Sequence, residues 1–117
     1  MKRQAIKRQY CTLINGEKFC RETKDIVWGN ANKIYGKSDK AHLYRKDKYG
    51  NEIHYNKYGD TSSRFGWEID HSKPVAKKGT DHLNNLQPLQ WKENRIKGDI
   101  YPYPLSKRNE QVKNANA

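Results

Sequence analysis

Apolar residues along this chain come in short clusters whose spacing alternates between strand-like and helix-like periods. Gln9 to Thr23 reads as a hairpin around Asn15-Gly16, a type I′ turn signal. A two-residue loop there pairs Ile14 with Glu17, Leu13 with Lys18, Thr12 with Phe19 and Cys11 with Cys20. The cysteine pair falls at a non-hydrogen-bonded position, where side chains approach most closely. Two states fit: a cross-strand disulfide, or two reduced thiols, which a reducing cytosol favours. Thr23 predicts the cap of a helix reaching about Tyr35, with Val27, Ala31 and Ile34 at helical spacing and Gly36 as its stop. A second hairpin, Leu43 to Lys46 and Glu52 to Asn56, turns at Lys48-Tyr49-Gly50-Asn51. Ile53 and Tyr55 form its apolar face, and His54 lies on the wet one.

Further on, Tyr58 to Ser63 reads as a loop and Trp67 to Asp70 as a short strand. A polar loop from Ser72 to Asn85 leads to a strand over Leu86 to Leu89 and a helix over Gln90 to Lys97 that Gly98 can end. Tyr101 to Ala117, with two prolines and then polar residues, predicts an extended tail, disordered at its end. The expected architecture is α+β in three parts: a basic segment and hairpin over 1–24, one domain over 25–100, and the tail over 101–117.

Composition narrows the class. Leu, Ile, Val and Phe total 19 of 117 residues, which leans toward disorder. Eight Tyr and three Trp oppose that, because each ring buries a large area. The 24 Lys and Arg against 13 Asp and Glu give a net charge of +11, which favours a polyanionic partner, above all nucleic acid. No apolar run approaches the ~18 residues of a membrane span. The basic Met1 to Gln9 has no apolar segment behind it, as a secretory signal would. A cytoplasmic protein without a membrane partner is the expectation.

Candidate chemistry gathers between Gly66 and Asp99, where Asp70-His71, Asn85 and Asn94 lie in a strongly basic stretch. Phosphodiester hydrolysis needs a base to activate water, positive charge on the phosphate, and a fixed geometry. An imidazole such as His71 suits the first task. Asp70 and Asn94 offer oxygen ligands for one hard cation, Mg²⁺, with Mn²⁺ able to substitute. Adjacent strand residues point to opposite faces, so Asp70 and His71 share a site only if they stand at a strand end.

The order of these elements resembles the HNH endonuclease family, whose shared unit is the ββα-metal motif. The resemblance is close over Gly66 to Asp99 and diffuse over Asp25 to Ser63. Trp67-Glu68-Ile69-Asp70-His71 looks like the first strand, Lys78 to Leu86 like the loop, and Asn94-Arg95-Ile96-Lys97-Gly98-Asp99 like the helix. It implies His71 as general base, Asp70 and Asn94 as metal ligands, and Asn85 as the residue that holds the loop and helps fix the base. The third position is Asn rather than His, an H-N-N variant similar in this respect to the HNH domain of RNA-guided CRISPR nucleases. Gln90 and Glu93 stand where many relatives carry a zinc-binding cysteine pair, so no structural zinc is expected.

The reading is a metal-dependent endonuclease acting on DNA, duplex in the first place, of a phage or restriction type. Lys73, Lys77, Lys78, Lys92, Arg95 and Lys97 are the candidate phosphate contacts, and His82 has no matching role. A homodimer would allow double-strand cutting. The alternatives are a non-catalytic nucleic-acid-binding protein on the same scaffold, and a toxin or effector nuclease with the same chemistry.

Overall fold

Val27, Ile53, Trp67 and Leu89 have no exposed surface, and the elements that carry them close around one small core. The computed structural model describes residues 8–34 and 43–116. Among these, the fold is α+β, with three α-helices and two small antiparallel sheets. Helix α1 is Arg21–Gly29, α2 is Trp91–Lys97 and α3 is Leu105–Ala115. Strands β1 (Asn32–Lys33), β2 (Tyr44–Lys46) and β3 (Glu52–His54) form the first sheet. Strands β4 (Trp67–His71) and β5 (Leu86–Gln90) form the second. No helix among the described residues is long and apolar enough to cross a membrane.

Aromatic rings fill the core where aliphatic side chains are scarce. The Trp67 ring lies 5.1 Å from Trp28 and 4.8 Å from Tyr58, and Trp28 meets Tyr55 edge-on at 5.6 Å. Phe19, Val27, Ile53, Ile69 and Leu86 pack around them. Trp67 Nε1 donates to Tyr55 O, so the buried indole has a partner.

The second hairpin turns where the sequence predicts, with Tyr44 opposite His54 and Lys46 opposite Glu52. Tyr55 leaves the strand for a short 3-10 turn, which swings it over Trp28. The N-terminal hairpin is offset by one residue from the predicted pairing. Thr12 faces Lys18, and Leu13 N donates to Glu17 O at 2.8 Å, so the loop holds three residues, Ile14, Asn15 and Gly16. Gly16 sits in the left-handed region at φ 86°, as the third residue of such a loop requires. The offset turns Phe19 into the core and makes Cys20 the cap of α1. Cys11 and Cys20 are therefore free thiols in different surroundings.

Two further elements differ from the sequence reading. Helix α1 begins at Arg21, not Thr23, and ends at Gly29; Asn32 and Lys33 then pair with β2. A glycine inside a helix costs about 1 kcal/mol, which favours the earlier stop. The predicted end at Tyr35 and Gly36 lies outside the described residues. The C-terminal segment is a helix rather than an extended tail. Arg108 of α3 donates its Nε to the buried Glu93 of α2 at 3.0 Å, and its guanidinium lies 5.2 Å from the Tyr49 ring centroid.

The two thiols should differ sharply in reactivity. Cys11 Sγ accepts from Ile69 N at 3.1 Å and meets Tyr58 Oη at 3.0 Å, and burial pushes its pKa up to about 11. Cys20 is exposed, and its contact with Thr23 lowers its pKa. The thiolate is the reactive form, and near pH 8 Cys11 stays protonated. Titration of the native protein with a disulfide reagent at pH 8 should release one equivalent quickly and the second only on denaturation. Two fast equivalents would contradict the burial of Cys11.

Candidate active site

Strand β4 is buried along its whole length, so both of its faces are packed. Trp67 and Ile69 alternate onto the aromatic core, while Glu68 and Asp70 point to the opposite face. Helix α2 lies across that face. It is only seven residues long and begins on a cap built from Gln90, whose Oε1 accepts from the N–H groups of Lys92 and Glu93. Asn94 and Lys97, three residues apart, share one side of the helix and meet the strand carboxylates. Asn94 Nδ2 donates to Glu68 Oε1 at 3.1 Å. Lys97 Nζ lies 3.3 Å from Asp70 Oδ1 and 3.1 Å from Oδ2, and donates to His71 O at 3.2 Å.

Asp70 and His71 stand at the end of β4 and both border one small cavity of about 30 Å³, together with Asn94, Arg8, Tyr10 and Cys11. That volume holds about one water or one ion. Burial pushes the Asp70 carboxyl above its ordinary range; Lys97 and a 2.8 Å hydrogen bond from Gln87 Nε2 pull it back. His71 is almost fully buried, and its Nε2 lies 2.7 Å from Asp81 Oδ1. Asp81 also accepts from Ile14 N at the tip of the N-terminal hairpin, 3.2 Å from each oxygen.

Asn85 does not line the cavity; it ties the loop between the strands. Its Oδ1 accepts from Lys73 N at 2.8 Å, and its Nδ2 donates to Lys73 O and Thr80 O at 3.1 and 2.8 Å. Gly79 lets the loop close there, since a Cβ would overlap the Lys73 carbonyl.

The six basic residues separate into two groups. Lys73, Lys77, Lys78, Lys92 and Arg95 are exposed, Arg95 while paired with Glu68 at 3.2 Å and lying 4.5 Å from the Tyr10 ring centroid. Lys97 corrects the sequence reading: it is buried against Asp70 and cannot serve as a surface phosphate contact. Glu68, Asp81 and Gln87 are the site residues that the sequence does not single out. Only Glu68 carried a signal, its place two residues before Asp70 on the same strand face.

Among the described residues, no group of three or more His, Cys, Asp and Glu side chains is placed to hold a metal. The available donors are hard oxygens. A carboxylate has about four lone-pair positions. Lys97 and Gln87 engage Asp70, with Oδ1 receiving a single donor. Asn94 uses its Nδ2 on Glu68, so Oδ1 is the atom it could offer to a cation. Two such oxygens suit a cation that keeps most of its water, as Mg²⁺ does, and most of that water would lie outside the 30 Å³ cavity. No protein-family model, curated protein or solved structure matches the chain.

Lys97→Met should show how far the site depends on its buried ion pair. Removing one partner strands the other charge, a loss of about 3–5 kcal/mol in unfolding free energy. Adding Asp70→Asn to Lys97→Met should restore part of that stability in urea denaturation. A loss below about 1 kcal/mol, the range of an exposed pair, would show that Lys97 is not buried on Asp70.

Proposed function

We propose that the chain is a metal-dependent endonuclease of the HNH type, hydrolysing phosphodiester bonds in DNA. The observation that carries this reading is the convergence of Asp70, His71 and Asn94 on one cavity, within a strand-loop-strand-helix unit whose order is that of the resemblance. The basic surface favours a polyanionic substrate.

His71 serves as the general base. With Nε2–H donated to Asp81, the lone pair is on Nδ1, and Nδ1 is the atom that takes a proton from the attacking water. Asp81 orients the ring and steadies its charged form. Asp70 and Asn94 are the residues that would hold Mg²⁺. When bound there, Mg²⁺ supplies positive charge against the charge that builds on the phosphate and on the leaving 3′ oxygen. Lys97 holds the Asp70 carboxylate in place, and through His71 O it ties α2 to the strand end. Asn85 keeps the loop that carries Asp81 closed. Products with 5′ phosphate and 3′ hydroxyl, duplex DNA as substrate and a homodimer for double-strand cutting belong to the same reading.

Supercoiled plasmid is the direct test. The wild-type chain should nick it in Mg²⁺ or Mn²⁺ and not in EDTA. His71→Ala should slow nicking about a hundredfold to ten-thousandfold, the usual contribution of a general base. An inert wild type in both metals overturns the nuclease reading. Nicking at the wild-type rate by His71→Ala overturns the role of His71.

A further inference from the structure

A second, larger concavity of about 830 Å³ opens beside the cavity, between the N-terminal hairpin and the β4–α2 face. Arg8, Tyr10 and Cys11 line both, so the two spaces adjoin. Three cations, Arg8, Lys18 and Arg95, line this cleft. Among its described lining residues the one acid is Glu68, which is buried and already bound to Arg95 and Asn94. The cleft therefore presents positive charge.

Its aromatic member has an unusual setting for a surface residue. Tyr10 is 37% exposed, with the Arg95 guanidinium 4.5 Å from its ring centroid, and the same guanidinium lies 5.9 Å from the Trp91 ring. Arg95 is thus fixed between two rings and Glu68, and it holds Tyr10 at the mouth of the cavity. A positive groove with a positioned aromatic ring is the combination that takes unpaired nucleic acid: cations follow the phosphates, and a base stacks on the ring.

We propose that this cleft binds an unpaired DNA strand leading to the cavity, with a base stacked on Tyr10 and phosphates met by Arg8, Lys18 and Arg95. The assignment rests on the nuclease reading and narrows it, since the strand would be locally unpaired beside the bond to be cut. Lys18 lies on the hairpin and Arg95 on α2, so the strand spans both walls.

Binding of a fluorescein-labelled single-stranded 16-mer, measured by anisotropy in EDTA, tests the cleft apart from cleavage. Tyr10→Ala should weaken binding about tenfold, within the range of one stacked base. Lys18→Ala should reduce the slope of log affinity against log salt by about 0.7, the loss of one phosphate contact on a single strand. Lys113→Ala, on the exposed side of α3, should keep the wild-type slope. Each variant's melting curve is compared with wild type, so that the losses are read only from folded protein. If Tyr10→Ala and Lys18→Ala bind as wild type does while wild type nicks plasmid, the cleft assignment fails and the nuclease reading stands. A wild type that binds duplex but not the single strand also overturns it. A wild type that neither binds DNA nor nicks plasmid removes both.

Discussion

The ion pair between Asp70 and Lys97, closed off between a strand and a helix, constrains the rest of the molecule. Two charges taken out of water must find each other and fill their remaining hydrogen-bond positions, or the fold loses several kcal/mol. Gln87 from β5 and the His71 carbonyl supply those positions here. One residue of slippage between β4 and β5 would separate Gln87 from Asp70 and turn the carboxylates into the aromatic core. Half a turn of rotation in α2 would leave Lys97 without a partner. The seam thus specifies register and helix orientation more sharply than the small apolar core could alone.

Holding that seam requires a helix too short to be stable by itself. The chain surrounds α2 with outside support. Asp47, fully buried in the turn of the second hairpin, accepts from Gln90 N at 3.0 Å where the helix starts. Asn51 from the same turn donates to Glu93 at 2.9 Å, and Arg108 reaches Glu93 from α3. Two segments distant in sequence from the candidate site therefore fix the helix that carries Asn94 and Lys97. The C-terminal helix thus supports the candidate site through α2, although none of its residues borders the cavity.

What the sequence reveals and conceals follows from periodicity. Asp70, His71 and Asn94 stand out in the sequence only through the resemblance of motif order; a strand end and a helix face are what bring them to one cavity. Asn85 is legible as a turn residue whose amide can cross-link a loop. Lys97 is misread because a lysine in a basic helix has the same spacing whether it faces water or a buried carboxylate. Asp81 is hidden because no period governs a loop. Asn15-Gly16 announces a hairpin but serves two-residue and three-residue loops alike; burial of Phe19 and of the Cys11 sulfur decides between them. Helix α3 has almost no apolar stripe, and it docks largely through one arginine on one buried glutamate.

Asp81 has a further consequence for which residue can occupy its position. Its carboxylate receives N–H groups from two places, the imidazole of His71 and the backbone at Ile14. Asparagine has nearly the same shape but only one accepting oxygen. With the amide oxygen at the Oδ1 place it would still accept from both Nε2 and Ile14 N, while the amide nitrogen at the Oδ2 place would face the Ile14 N–H. With the amide nitrogen beside the ring, His71 would have to accept at Nε2 and carry its proton on Nδ1, the atom that the proposed chemistry needs bare. One atom of difference would thus leave the fold in outline and make the polarity of the imidazole depend on which way the amide turns, a choice that the carboxylate removes.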